Sequence, residues 1–536
     1  MNRQLASLVS NRLRPLLAVA IACGVPLACS GCRIPGLRAP DAAAPLPAAF
    51  SKGPNGEENS SQVGVQDFFN DPKLTQLMQE ALANNQDLKI LTQNIEIANN
   101  EILARRGAYL PSVSLRAGAG LDRSSRFTRE GAVDEQLLID DRHIPNPLPD
   151  FLVAANVSWQ VDIWRKLRNA RDAAALRFLG TAEGRNYTVT RLVAEIADNY
   201  YGLMALDKRL DNLNQNIKLQ EDSLKIAIAK RDAGQGTELG VQRFQAEVRR
   251  SESERLIVQQ DIIERENRIN FLAGRFPQPV ERSSAVDFAD VELPAVFAGI
   301  PSHLLLNRPD IRQAERELEA AGLEVKVARA EFFPSLDITA GLGYRMFNPR
   351  YVFNPDALIG SIAGDLTAPF VNRAAIKAAY LTANARQLQA LYEYQKRILD
   401  AFTEVTNRVN MVENYRKSVE IKKQQRAALE KSVTVAGQLF QAAKAEYIEV
   451  LTAQRELLEA RMVLIETKRQ QLSAVIYAYQ ALGGGSLMTT RTQQTQIPPT
   501  PPAALPLPPV PLVPPAVLPI PPEPSAPPVV VPPPNK

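Results

Sequence analysis

A long stretch without proline constrains this chain more than any other feature. From Trp164 the sequence runs to beyond Gly234 with no proline. Within it Ile196, Leu203, Leu210, Ile217 and Leu224 recur at every seventh position. Leu192, Leu206 and Leu213 add most of a second seam, which Asn199 and Gln220 interrupt. A strict seven-residue apolar repeat specifies helices that supercoil side by side. A helix of ~65 residues would be ~100 Å long at about 1.5 Å per residue. No compact globular domain accommodates that length, so the helix must be part of a coiled-coil rod or one stave of a hollow cylinder. The pattern returns near the end in Leu451, Leu458, Ile465, Leu472 and Tyr479, where the second seam contains Arg455 and Arg469. The run Gly483–Ser486 then ends this helix.

The chain also repeats itself. Shifted by 223 residues, Leu82–Leu121 aligns without a gap to Leu305–Tyr344, with 12 of 40 positions identical. Among them are Asp87/Asp310, Glu101/Glu324, Arg106/Arg329, Pro111/Pro334, Ser112/Ser335, Gly118/Gly341 and Gly120/Gly343. Each half reads as helix, strand, loop, strand, very long helix, tip, helix. The first helix is expected over Leu74–Tyr109 and its partner over Ser302–Phe333. Pro111 and Pro334 end them, because the residue before a proline is pushed out of the helical region.

Four segments alternate between apolar and polar or small residues: Val113–Leu121, Val153–Ile163, Leu336–Arg345 and Ile362–Phe370. Strands of about ten residues with one apolar and one polar face suit a transmembrane barrel, apolar to lipid and polar to a lumen. A soluble two-faced sheet has the same periodicity. The helices separate the two readings. Four strands cannot close a barrel, and open edges are not tolerated in lipid. Several copies are therefore required, and three give twelve strands continued by a helical tube. Glycines after each helix-to-strand switch are expected to ease a sharp backbone bend there. Bulky replacements at Gly118 or Gly341 are accordingly expected to impair assembly more than replacements in the loop near Asp134.

The flanks differ from this body. Arg3, Arg12 and Arg14 precede the apolar run Leu16–Ala28, which reads as an export signal too short to span a membrane. All three cysteines, Cys23, Cys29 and Cys32, fall in the first 32 residues, so no disulfide framework or cysteine metal site exists later. Ser30 and Gly31 directly precede Cys32, which resembles a bacterial lipobox, although Cys29 stands where leucine is usual. Cys32 is the expected lipidated residue, and Arg33 after it fits outer-membrane sorting. Residues 1–31 are then a lipoprotein signal, 32–66 an extended lead-in, 67–300 and 301–486 the two repeats, and 487–536 a tail. Ile497–Lys536 holds 19 of the chain's 40 prolines and reads as a polyproline-type, largely disordered segment.

Several blocks together resemble the TolC-like outer-membrane efflux proteins, in their lipid-anchored branch. Gly299–Gly343 (GIPSHLLLNRPDIRQAERELEAAGLEVKVARAEFFPSLDITAGLG) carries the most specific likeness, and Leu77–Leu115 matches its first-half counterpart. Asn156–Ala174, Leu366–Ala379 and Leu451–Gly485 are similar to the strand-to-helix passages and the closing helix. The resemblance covers roughly Phe68 to Gly485. It implies a mixed fold, a homotrimeric 12-strand barrel in the outer membrane continued by a 12-helix periplasmic tunnel. It also implies a passive conduit that docks a periplasmic adaptor protein and, through it, an inner-membrane pump, with outer-membrane lipids around the barrel. The helix turns would be the periplasmic tips. Asp232, Gly234 and Glu238 lie at the first; Ala443, Tyr447 and Ile448 lie at the second, with Ala443 where the family usually has glycine. These are candidates for gate lining or adaptor contact, and solvated turn residues are the alternative.

Nothing points to catalysis. The sequence has no nucleotide loop, no nucleophile–histidine pairing and no metal-ligand cluster, and only two histidines. No cofactor is expected. Asp400, Glu404 and Glu413 read as solvated or ion-paired carboxylates on long helices. Trp159 and Trp164 suit either an aromatic girdle or packing at a strand–helix join. A formal net charge of +4 gives no reason to expect nucleic-acid binding. The rival architecture is a lipid-anchored periplasmic coiled-coil structural or adaptor protein with a soluble sheet. It accounts for the heptads and the signal but not for the paired barrel-length strands.

Overall fold

The computed structural model describes residues 34–485 apart from 42–44, 48, 51–58, 140–141, 284–287, 370–372 and 443. Cys32, Ala443 and the proline-rich tail lie outside the described residues. A 3-10 turn at Ser60–Gln62 is followed by α1 (Val65–Phe69), α2 (Pro72–Asn84) and α3 (Gln86–Ala108). Next come β1 (Ser112–Asp122), α4 (Arg129–Asp134), the small strands β2 (Leu138–Ile139) and β3 (Arg142–His143), and β4 (Leu148–Val161). The first long helix is α5 (Lys166–Asp232), and α6 (Glu238–Leu272) returns from it. The second half runs α7 (His303–Asn307), α8 (Pro309–Ala330), β5 (Ser335–Met346), β6 (Leu358–Thr367), α9 (Ala374–Gln441) and α10 (Tyr447–Ala481).

α5 has 67 residues and α9 has 68, about 100 Å each. The heptad seams are buried where they matter: Ile196, Leu203, Leu213 and Ile217 on α5, and Leu451, Leu458, Ile465, Leu472 and Tyr479 on α10. The helices form a wall. Toward the strands the neighbours run α3, α5, α8, α9; toward the tips they run α6, α5, α10, α9. α1, α2 and residues 275–283 and 288–300 cover one face of this wall midway. There Phe68 stacks on Tyr479 at 4.0 Å, and Tyr200 donates to Asp71 at 2.9 Å. The lead-in lies along α9: the Arg38 amide donates to Asn384, Tyr392 donates to Asp41, and Phe50 stacks on Phe402.

The first helix of each half is not continuous. The expected Leu74–Tyr109 helix breaks at Asn85, and the expected Ser302–Phe333 helix breaks at Arg308. These two positions are equivalent under the 223-residue shift. Arg308 is forced into extended backbone (φ −87°, ψ 118°) by Pro309, the same proline rule that operates at Pro111 and Pro334. Asn85 instead leaves the helix to cap its continuation, accepting from the Leu88 amide at 3.1 Å.

Each break receives the end of its own half's return helix. The Asn85 side-chain amide donates to the Leu272 carbonyl at 2.8 Å, and Arg308 donates to the Ala481 carbonyl at 2.8 Å. Beside each joint a left-handed glycine makes room: Gly274 (φ 69°) against the Asn84 carbonyl and Gly483 (φ 94°) against the Asn307 carbonyl. A Cβ at either glycine would overlap that carbonyl. The joints differ in charge. Asn85 is neutral, whereas the buried Arg308 pairs with Asp310 and Glu404, both at 2.8 Å. Burial alone would lower the Arg308 pKa, but Asp310 and Glu404 outweigh it and raise it. Glu404 is therefore a structural ion-pair partner, and Glu413 pairs with Arg416 and Lys417 on its own helix.

The four long strands form one antiparallel sheet in the order β1-β4-β5-β6. β4 begins five residues before the expected Val153 and stops at Val161, two before the expected end. β6 begins at Leu358 and stops at Thr367, before Pro369 can interrupt the ladder. Apolar residues on the polar face hid both starts: Leu152 and Ala154 on β4, and Ile359 on β6, which sits opposite Gly343.

The glycine expectation needs revision. Gly118 and Gly341 lie inside regular strands, opposite Leu152 and Asn156, and neither makes a bend. A Cβ on Gly118 would meet open space, while one on Gly341 would reach Asn156 Oδ1 at 2.9 Å. Gly343 is the tight position, because a Cβ there would overlap Val153 and Ala154. The loop near Asp134 is not neutral either, since a Cβ at Gly131 would overlap the Ser125 backbone.

Arg308→Ala leaves Asp310 and the Ala481 carbonyl without their shared donor. The expected loss is about 3–5 kcal/mol, against about 1–3 kcal/mol for Asn85→Ala, read from urea unfolding followed by circular dichroism. Gly343→Val should disrupt the sheet where Gly118→Val does not, as judged by the yield of correctly folded protein.

Candidate functional site

The sheet separates its side chains by face. One face carries rows such as Ser114–Asn156–Gly341–Ser361 and Gln160–Asp337–Asp365, with Asp150 and Arg345 paired at 2.9 Å. The other carries Val113–Val157–Ala340–Ile362 and Leu336–Leu366. Strands of 10 to 14 residues are long enough to cross a hydrocarbon layer when tilted. β1 and β6 are the two edges, and every residue of both is exposed, Leu115 at 87% and Ile362 at 82%. No helix among the described residues is long and apolar enough to cross a membrane.

At the junction, Pro111 and Pro334 sit between helix ends at Ala108 and Ala330 and strand starts at Ser112 and Ser335. Both tryptophans pin this level. Trp159 donates to the Tyr109 carbonyl at 3.1 Å, and Trp164 donates to the Pro334 carbonyl at 2.8 Å while stacking on Phe333 at 4.6 Å. The sequence left packing and girdle roles open; these contacts are those of packing at the join. Arg165 takes a left-handed conformation (φ 59°) to turn strand into helix. Asp162 caps α5, accepting from the Leu167 and Arg168 amides at 3.0 Å and from the Arg168 guanidinium. The sequence pattern of Asn156–Ala174 did not single out Asp162. Burial would raise the Asp162 pKa, but these donors more than offset it and hold it below its usual value.

The tip residues sit together at the far end. Gly234 (φ 72°) closes the α5–α6 turn, and the Gln235 amide donates to the Lys230 carbonyl at 2.8 Å. The second turn closes in the same way, with the Lys444 amide donating to Leu439 at 2.9 Å across the undescribed Ala443. Arg231 bridges Asp232 at 2.7 Å and Glu238 at 3.0 Å. Gln242 and Arg231 hold the Glu238 carboxyl below its usual range. Lys230 lies over the Phe440 ring at 3.9 Å, tying one turn to the other. Tyr447 packs into a small core with Val241, Phe244 and Leu451, whereas Ile448 is exposed. Tyr447 thus packs inward and Ile448 faces out, a distinction the sequence did not draw.

Among the described residues no group of His, Cys, Asp and Glu side chains could hold a metal ion. The outer membrane efflux protein model matches residues 77–275 and 300–484, most of the chain. The chain belongs to the outer membrane efflux protein family. It is similar to the solvent efflux pump outer membrane protein SrpC of Pseudomonas putida, 28% identical over 444 residues, covering 82% of this chain and 92% of that protein. It is likewise similar to the cation efflux system protein CusC of Escherichia coli K12, 26% identical over 473 residues, covering 86% and 98%. The solved outer-membrane channel OprN has the same fold, with a TM-score of 0.73 at 23% identity, covering 85% of this chain and 99% of that one. As a member of this family the chain is an outer-membrane channel component of an efflux system. The family is one of efflux conduits, not of enzymes.

Asp162→Asn should cost about 1–2 kcal/mol at neutral pH through its weakened cap. A carboxyl with a depressed pKa contributes stability that is present above its unfolded value of 3.8 and lost as pH falls through the folded one. The difference between wild type and Asp162→Asn should therefore shrink below about pH 4, measured as unfolding midpoints across pH.

Proposed function

We propose that three copies of this chain form one passive conduit through the outer membrane, extended by a helical tunnel across the periplasm. The observation that carries this reading is the four-stranded sheet with two fully exposed edge strands at the end of a helical wall. In lipid those backbone edges must be paired, so β6 of one copy would meet β1 of the next. The wall agrees. Within its long helices, large apolar side chains at least half exposed fall on α3, α6 and α9, the helices at its margins. They include Ile90, Ile97, Leu256, Ile257, Leu399 and Ile421. Repeats 67–300 and 301–486 would each supply half of one copy's share of the tube.

A lipid on Cys32 would add an anchor. Ile34 packs with Phe332 and Tyr380, three residues before β5 begins at Ser335, so the described chain starts at the strand–helix level. That is where an acyl-modified residue two positions earlier could enter the membrane. Pro111 and Pro334 would mark the level where tube becomes barrel, with Gly118 and Gly341 further along the strands. At the other end, the exposed Asp232, Glu238 and Ile448 would meet a periplasmic adaptor, through which an inner-membrane pump delivers cargo. The relatives named above serve a solvent pump and a cation system, so cargo choice would lie with the pump. The proline-rich 487–536 would be a spacer.

Purified outer-membrane fractions should yield a species of three chains that survives heating in mild detergent. A soluble monomer that needs no detergent would remove the channel reading and favour the coiled-coil adaptor alternative. Cys32→Ser should abolish incorporation of labelled palmitate, and deletion of Ile497–Lys536 should leave export unchanged.

A further inference from the structure

α5, α6 and α10 line a half-open groove of about 440 Å³ on the face of the wall opposite the covering segment. The sides follow from helical spacing. Tyr200, Leu203 and Asp207 share the face that meets α2 and residues 275–283, where Asp207 pairs with Arg282. Asp198, Gly202 and Arg209 share the opposite face. Gly202 lets the Arg265 side chain cross α5 at that point, since any Cβ there would overlap its guanidinium.

The groove's charges are unevenly matched. On its acidic side, Glu466 accepts from Arg469 at 2.8 Å and from Gln470 at 3.0 Å, and Glu264 accepts from Gln260 at 3.0 Å. Among the described residues Asp198 forms an ion pair with Arg469 alone, at 4.0 Å, and one of its buried oxygens has no hydrogen bond, while its charge also acts on Arg265. Asp261 completes the acidic lining. On the basic side, among the described residues, neither Arg209 nor Arg265 has a hydrogen-bond or ion-pair partner, and Arg209 Nε is buried without one. Burial holds the Arg265 pKa below its usual value. Asp198, Glu466 and Asp261 act on Arg265 through space, and Glu466 likewise on Arg209. Neither guanidinium fork has a directly bonded partner among the described residues, however, which costs stability where the group is partly buried. The planar fork of arginine matches an oxyanion bidentately.

We propose that Arg209 and Arg265, with Arg469 beside them, form a binding site for a small oxyanion such as phosphate or a carboxylate. That this face is the lumen rests on the channel reading; the binding itself does not. Each copy would then present one such site midway along the tunnel.

Equilibrium binding of radiolabelled inorganic phosphate to the purified full-length protein tests this. At fixed ionic strength the expected result is one saturable site per chain, weakened at least about tenfold by R209Q or R265Q and unchanged by R249Q, a distant exposed pair on α6. Phosphate should also raise the thermal midpoint of the wild type but not of R265Q. R265K tests the same point if R265Q folds poorly: it keeps the charge, loses the fork and should bind more weakly. No saturable binding in the wild type, or equal binding in R209Q and R265Q, overturns the site. Planar-bilayer recordings separate the two readings. Phosphate-dependent conductance abolished by R265Q supports a site in the lumen. Conductance indifferent to phosphate, with binding intact, removes the lumen location, and no conductance at all removes the channel reading while the binding result stands.

Discussion

Backbone groups at a sheet edge cannot be left open in hydrocarbon, and this constraint organises the molecule. Among the described residues there are four long strands, ordered β1-β4-β5-β6, with both edges unpaired. A strand pair that faced water could tolerate this; a lipid-facing sheet cannot. The same logic reaches into the helices. A barrel assembled from several chains needs a wall beneath it whose margins are also incomplete, and those margins are where α3, α6 and α9 expose apolar side chains. Strand edges and helix margins are two forms of one unfinished surface.

The duplication is carried most faithfully where packing leaves least freedom. The joint at Asn85 and the joint at Arg308 use different side chains for the same task, donating to the last carbonyls of a returning helix. The glycine beside each joint and the asparagine carbonyl it approaches recur unchanged. One half uses a neutral amide and the other a buried guanidinium with two carboxylates. The two halves therefore share a shape but not a charge, and the second joint resists separation of its partners more strongly.

Heptads and prolines made the long helices legible, because a repeat sustained over so many turns has one structural meaning. The strands were legible where polar and apolar residues alternate and obscure where Leu152, Ala154 and Ile359 sit on the polar face. The helix break at Asn85 had no local signal beyond a capping residue, while Arg308 before Pro309 carried one. Tip residues could be grouped from the turn pattern around Gly234. Which of them point inward depends on packing between two hairpins 210 residues apart in sequence, as in Lys230 and Phe440. The arginine groove was out of reach, since it joins three helices and one glycine that periodicity treats as unrelated.

The lead-in also sets an order of folding. Its contacts are with Asn384 and Tyr392, 346 and 351 residues away along the chain, and with Phe402. Such distant partners must exist before the segment can dock, so contacts made by the earliest residues form late. The start of the described chain thus behaves as a final strap laid over α9. A molecule stalled before that helix is complete would keep its opening segment free, accessible to whatever acts on it first.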